Sequence, residues 1–464
     1  MEEIGMFLLS KIPGKIAPGP LILSMTTIVS SILLTSPSVF ANQLAEESTS
    51  FLQLIKTLKD NNTISESQYQ ALKQQAEHQA EDAAELIDDS DENALAIATQ
   101  GGLEVSTFDG RYAFEISGRL MYDLTAFDED NVELGNDSSI RRAYLGVEGK
   151  VDYDWGYKLT LDFADGDVDI KDAYLSYQGQ TGWLWKLGHA KEPFSLAEQT
   201  SSKYITFLER PLATEFAPGR SLGIHANTYG NQWTFAASLT AETWDEDPDD
   251  EGDEGWGATT RATYAPWHSD TQALHFGAAM SYRQTSDDNS VKFDIRPETK
   301  NTDIKYLNTG KIKQANNINR YGIEAAWVEG PFSVQSEYIL TEVDGDFGSN
   351  LAFSGWYITS SWMLTGESRN YKFKKGAFGR IKPYAPGGAW ELAIRHSALD
   401  LNDQDVTGGD SSITTLGVNW YINDRIRTML NYAMVNNDET ADDNGDVQPS
   451  DGPNYFQLRL QMDF

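Results

Sequence analysis

The chain has 464 residues, 36 Lys+Arg against 70 Asp+Glu, a formal net charge of −34 and no Cys. That balance argues against a nucleic-acid binder, which needs a basic footprint, and the missing cysteines exclude disulfide scaffolds, thiolate metal sites and a Cys nucleophile. An aromatic content of 11% with 38 Gly argues against disorder, and beyond the N-terminus no apolar run reaches helical membrane-span length.

Residues 1–41 have the form of a secretory signal. Lys11 and Lys15 give the positive start, Leu21 to Leu34 a short apolar core, and Val39-Phe40-Ala41 a small-residue cleavage site after Pro37. Residues 42–100 change character. Phe51, Leu54, Ile55 and Leu58, then Tyr69, Leu72, Ala76, Ala80, Ala83 and Ile87, fall at helical spacing around Asn61-Asn62. This predicts a short helical periplasmic segment, coiled-coil-like and ending in a linker; a disordered linker is the alternative.

From residue 103 the period is two. Tyr112, Phe114, Ile116, Leu120, Tyr122 and Leu124 alternate with Arg111, Glu115, Arg119 and Asp123, and the C-terminus alternates Phe456, Leu458, Leu460, Met462 and Phe464 with Gln457, Arg459, Gln461 and Asp463. Runs of about ten residues suit tilted membrane strands better than the shorter strands of a soluble sandwich. Seventeen such runs can be marked, and two chain ends on one membrane side demand an even number. The expected fold is an all-β transmembrane barrel of 16 antiparallel strands over residues 101–464, with one of the runs near 168, 221 or 290 discounted. Trp183, Trp185, Trp327, Trp356, Trp362, Trp390 and Trp420 fall on apolar faces, where membrane girdles place them. The expected partners are outer-membrane lipid and lipopolysaccharide, and the terminal Phe464 fits the signal read by barrel assembly machinery.

Sixteen strands enclose an aqueous lumen, lined by the polar parity of each strand. That parity selects Arg119, Arg142, Lys158, Arg261, Arg283, Arg320, Arg395, Arg427 and Arg459, with Glu115, Asp123, Glu148, Asp162, Glu324, Glu337, Glu391 and Asp463. Arginine offers a permanently charged planar fork to oxyanions; internal Arg–carboxylate bracing is the competing role. Residues 190–220 break the alternation while carrying Phe194, Leu196, Phe207, Leu208 and Phe216, which an exposed loop would not need. A loop folded inward to constrict the channel accounts for both features. Its charged residues are Lys191, Lys203, Arg210 and Arg220 against Glu192, Glu198, Glu209 and Glu215.

The stretch Gly188-His189-Ala190-Lys191-Glu192-Pro193-Phe194-Ser195-Leu196, with Thr200-Ser201-Ser202 and Phe207-Leu208-Glu209-Arg210, resembles the phosphate-selective porin O and P family. So do Arg141 to Gly149, Leu364 to Arg369, Gly388 to Arg395 and Gly417 to Tyr421. The resemblance implies a sixteen-stranded outer-membrane channel, usually a homotrimer, with an inward constriction loop. It also implies phosphate or polyphosphate passing along arginines and lysines. Here the matching loop mixes four bases with four acids and has no dense lysine cluster, a departure from the phosphate-passing members.

The chain contains no Gly-x-Ser-x-Gly, His-Glu-x-x-His or Walker sequence, so no catalytic residue, cofactor or metal site is expected. The run Asp245 to Glu251 lacks the Glu that a Ca²⁺ loop carries at its twelfth position, where Trp256 stands. The expected function is passive diffusion of small hydrophilic solutes and ions, general or anion-preferring. A dedicated phosphate channel, a surface-binding or adhesive barrel, and an outer-membrane hydrolase are the alternatives. Segments 77–92, 128–137, 242–254, 400–410 and 438–446 hold 31 acidic residues and no Lys or Arg, so the negative charge belongs to connections rather than to the pore.

Overall fold

In the computed structural model the described residues are 102–464 apart from 165, 180, 242–254 and 287–288, preceded by 95–99 and a few positions between 59 and 74. The signal-like residues 1–41 and most of the expected helical segment lie outside the described residues. Within the N-terminal unit, residues 59, 66, 68–70 and 72–74 are helical, Lys59 pairs with Glu66 at 2.9 Å, and Leu95–Ala98 forms a hairpin with Leu103–Thr107.

The second unit is a closed barrel of sixteen antiparallel strands. They are β1 (Ala113–Asp128), β2 (Asp137–Val151), β3 (Trp155–Asp162), β4 (Asp169–Tyr177), β5 (Leu184–Lys191), β6 (Arg220–Tyr229), β7 (Trp233–Ala241) and β8 (Trp256–His268). There follow β9 (Gln272–Gln284), β10 (Ala315–Glu329), β11 (Phe332–Gly345), β12 (Leu351–Met363), β13 (Ala389–Asp403), β14 (Val406–Tyr421), β15 (Ile426–Ala441) and β16 (Asn454–Asp463). Of the three weakest runs, those near 168 and 221 are strands, whereas 290 falls in a connection where only two-residue ladders form.

Closure is the pairing of β16 with β1, from Asn454 opposite Asp128 to Asp463 opposite Arg119. Phe464 continues that register by exchanging backbone hydrogen bonds with Gly118 at 3.0 and 3.1 Å. The absent side chain of Gly118 makes room for the Phe464 ring: a Cβ there would stand 2.2 Å from it and force the ring to move.

Alternation separates the two faces. On β16, Phe456, Leu458, Leu460 and Met462 are exposed on the outside, while Tyr455, Gln457, Arg459, Gln461 and Asp463 are buried inside. This is a soluble protein's pattern inverted, as a lipid-facing barrel needs. Six of the seven connections at one end have two to six residues, and Trp155, Trp185, Trp233, Trp267, Trp327, Trp362, Trp390 and Trp420 stand near that rim. Trp390 stacks on Trp420 at 5.4 Å, forming part of an aromatic girdle.

Three long connections fold into the barrel: 192–219, 285–314 and, from the short-turn end, 364–388. Sequence periodicity pointed to the first alone. Val291, Phe293, Ile295, Leu307 and Ile312 of the second pack with Phe194, Leu212 and Phe216 of the first, against Ile339, Phe353, Leu399, Ile413, Val435 and Tyr455 of the wall. Tyr371 and Phe378 of the third pack with Leu196, Ala265, Ala273, Ala326 and Val328. The inner face of β10–β16 is therefore covered. The inward side chains of β3–β6, such as Lys158, Asp172, Tyr174, Lys186 and Arg220, stay partly accessible.

Candidate functional site

The 192–219 loop enters the lumen at Glu192, whose fully buried carboxylate accepts from Ser221 at 2.7 Å, Thr259 at 2.5 Å and Arg283 at 2.6 Å. Ser195, at φ 61°, then caps the single-turn helix α1 (Leu196–Gln199) by accepting from the Glu198 amide. The free amides of Leu196 and Ala197 donate to Glu337 of β11 at 2.9 and 2.7 Å, which sets a carboxylate at the positive end of that turn. Arg210 closes the other end, donating to the carbonyls of Ala197 and Thr200 at 2.9 Å and pairing with Glu198 at 3.0 Å.

Beyond α1 the wall takes up the loop backbone group by group. Gln461, Arg427, Asn419, Arg459 and Arg395 donate to the carbonyls of Lys203, Ile205, Thr206, Leu208 and Glu209 respectively. A loop buried inside a barrel has no other strand to satisfy its backbone, so wall side chains supply the missing donors. Glu209 is the charged centre of this contact. It accepts from Nε and Nη2 of Arg141 at 2.7 and 2.9 Å and from Arg459 at 2.7 Å, with Arg142 at 3.7 Å. Arg459 also grips Asp123 through two 2.6 Å bonds.

Arg141 reaches the lumen by a register break. Met121 faces Arg142 and Tyr122 faces Ile140, so Arg141 is the extra residue of a β-bulge and both arginines serve the interior. Strict alternation had assigned only Arg142; two adjacent arginines within a strand were the signal for the bulge.

All the parity-selected residues of the wall point into the barrel, but they divide by what they touch. Arg261 holds Glu324 and the Gly376 carbonyl, Arg395 holds Glu298 and the loop, and Arg283, Arg427 and Arg459 hold Glu192, Gln461 with Ile205, and Asp123 with Glu209. These arginines bind other protein groups. Glu391 likewise accepts from Asn419 and Tyr421, and Asp162 accepts from the amides of Ala143 and Ala164. Glu115 is partly accessible on the inner face of β1.

The other set faces open lumen. Lys158 pairs with Glu148, and Arg220 with Asp172 at 3.0 Å. Arg119, Lys186, Lys203 and, on the covered side with its Nε and Nη1 buried, Arg320 of β10 have no carboxylate within ion-pairing distance among the described residues; Arg119 donates to Ser202. Three of them lie over tyrosine rings: Arg119 over Tyr144 at 4.6 Å, Lys186 over Tyr174 at 4.8 Å and Lys203 over Tyr204 at 5.8 Å. Those tyrosines, with Asp172 and Lys186, were not singled out from the sequence, because pore tyrosines look like any strand tyrosine until a cation is seen above them.

The loop's own charges titrate unequally. Burial alone would raise Glu198, but Arg210 and Lys191 outweigh it and bring its carboxyl to about 2. Glu209 lies well below the carboxylate range for the same reason, with Arg141, Arg142 and Arg459 opposing burial. Glu215 has no ion-pair partner among the described residues; enclosure in the barrel, helped by Glu198 and Glu209, raises it to about 7 against Arg210 and Arg141. Lys203 falls to about 8 through enclosure, assisted by Arg119 and Arg380 and opposed by Asp463.

Residues 114–464 match the family model described as phosphate-selective porin O and P. The chain belongs to that family. Porin O of Pseudomonas aeruginosa PAO1 is 31% identical over 414 residues, covering 80% of this chain and 92% of its own length. An uncharacterized protein of Caulobacter vibrioides is 30% identical over 376 residues, covering 76% of this chain and 75% of its own. Among solved structures, the anion-selective porin from Comamonas acidovorans aligns at 13% identity with a TM-score of 0.49, over 76% of this chain and all of that one. As a porin of the bacterial outer membrane, the barrel is a channel for passive diffusion, and its short-turn end is the periplasmic one.

Proposed function

We propose that this porin prefers anions, and that its selectivity resides on the open inner face of β1–β6 with Lys203 of the constriction loop. The observation that carries the reading is the set of cations on that face without a carboxylate among the described residues: Arg119, Lys186 and Lys203, against one unpaired loop carboxylate, Glu215. A permeating anion moving between such cations exchanges one weak site for the next, which permits selection without trapping. The tyrosine rings beneath them hold the cations in place while leaving their N–H groups to the solute. Lys191 and Arg210 share Glu198, and Arg220 is paired with Asp172, which favours a general anion preference over a dedicated phosphate channel. The functional particle is a homotrimer, as the family resemblance implies, with a signal peptide over 1–41 and a periplasmic helical segment over 42–100.

Planar-bilayer recording tests this. A KCl gradient is expected to give a reversal potential of anionic sign, and millimolar phosphate to reduce the chloride current only partly. A cationic reversal potential would overturn the preference. Complete block at micromolar phosphate would restore the dedicated phosphate channel.

A further inference from the structure

Behind the constriction loop, on the side away from the open face, lies a cavity of about 30 Å³. Thr200, Glu209 and Arg210 of the loop, Tyr357, Thr359 and Arg395 of the wall, and Arg369 of the 364–388 turn contribute to its lining, the Glu209 carboxylate being taken up by Arg141 and Arg459. Such a space holds one or two water-sized bodies and no polyatomic oxyanion.

Its cations are unequally paired. Arg210 is matched by Glu198, and Arg395 by Glu298. Arg369 makes no ion pair among the described residues: only 6% of it is exposed, its guanidinium has no hydrogen-bond partner there, and Glu391, the carboxylate that acts on it most strongly, lies beyond 4 Å. Its guanidinium lies 3.6 Å from the centre of the Phe378 ring. Stacking covers the face of a guanidinium and leaves its in-plane N–H groups as donors without acceptors. Nη1 of Arg369 and Nε of Arg395 are both buried and unpartnered. A buried guanidinium with neither a direct ion pair nor an acceptor is disfavoured. Water would supply an acceptor; a small anion supplies a charged one.

We propose that this cavity is a binding site for one halide-sized monovalent anion, held between Arg369 and Arg395. The Thr200 hydroxyl accepts from the Phe378 amide at 3.3 Å and so keeps its own proton for the ion. The Thr359 hydroxyl has no hydrogen-bond partner among the described residues and can donate likewise. The anion would join the periplasmic turn, which carries Arg369, to β13 and the back of the constriction loop, outside the permeation path.

Crystals of the full chain grown in bromide test the site directly by anomalous scattering. The expected result is one peak per chain within hydrogen-bonding distance of Arg369 and Arg395, absent in Arg369→Gln. A cavity holding only non-anomalous density, or Arg369 turned into direct contact with Glu391, would overturn the proposal. Because the wild-type map alone decides, a folding failure of the variant would not leave the question open. In detergent, the wild-type melting midpoint should be higher in chloride than in gluconate, which is too large to enter, and the difference should vanish in Arg369→Gln. Equal wild-type midpoints would also count against the site. The proposal stands apart from ion preference: a bromide peak in a barrel without anionic reversal potential would sink the proposed selectivity and leave this site intact.

Discussion

The covered and open halves of the inner wall use cationic side chains to opposite ends. On β13–β16, Arg395, Arg427 and Arg459 are buried, and each spends its donors on a carboxylate, a side-chain amide or a loop carbonyl. On β1 and β5, Arg119 and Lys186 lie over tyrosine rings and meet no carboxylate. The difference lies in what the chain folds against each half. Inward segments bring backbone acceptors, Glu209 and Glu298 to the covered side, and among the described residues nothing equivalent covers β3–β6. A luminal arginine is thus an anchor or a selectivity element according to what packs on it.

The largest expected effect falls on the anchors. Arg459→Leu leaves Asp123 without an ion-pair partner among the described residues and removes one from Glu209, and breaking a buried pair in this way destabilises by about 3–5 kcal/mol. Thermal unfolding in detergent should show it, with faster proteolysis of the 192–219 loop; an unchanged midpoint would erase the distinction between the halves. Next come reversals on the open face. Arg119→Glu with Lys203→Glu should carry the KCl reversal potential to the cationic side while the midpoint moves little. Arg210→Glu, although in the same loop, should act as an anchor loss, because Arg210 is consumed by Glu198 and the carbonyls ending α1.

A smaller effect is the pH dependence of that potential. Glu215, at about 7, gains a proton as the pH falls, which removes a luminal negative charge and strengthens anion preference. Lys203, at about 8, loses its proton as the pH rises, which weakens the preference. Anion preference should therefore decline from pH 6 to pH 9, and Glu215→Gln should remove the lower part of the decline and keep the upper. Identical profiles for the two proteins would place Glu215 away from the permeating ions. The smallest effect is expected of Tyr174→Leu, which takes the ring from beneath Lys186. Loss of a cation–ring contact is worth about 0.5–1 kcal/mol, or roughly a two- to five-fold weakening of phosphate block.

Much of the barrel was legible because strand alternation is a local property. A ten-residue run such as Asn454–Asp463 displays its lipid face and lumen face without reference to the rest of the chain. The doubtful run near 290 shows the limit. Val291, Phe293 and Ile295 alternate as a strand would, yet their apolar side chains meet Phe194, Phe216 and Phe353 inside the barrel. Period two records which side is apolar, and cannot say whether that side meets lipid or a lumen already lined with apolar groups. Segments 400–410 and 438–446 were likewise read as connections, whereas most of their residues extend β13, β14 and β15, because a strand that projects past the membrane no longer needs an apolar face. The 364–388 turn carried no periodic signal, and its inward fold depends on Tyr371 and Phe378 finding Leu196, which lies far from it in sequence.

The sequence by itself determined the class of molecule: outward apolar parity, an even set of strands, a terminal Phe464 and an inward loop with too many apolar residues for solvent. It determined too that the −34 charge is carried largely outside the channel lining. The tertiary structure alone decided which luminal charges are free. Arg119 and Arg459 have the same parity and stand on neighbouring strands of the closing seam, so no local pattern separates them. What separates them is that Glu209 and the Leu208 carbonyl arrive beside Arg459, while Arg119 receives a serine hydroxyl and a tyrosine ring. Pairing is a long-range event, and for a buried guanidinium it fixes whether the charge is spent on the protein or left for the solute.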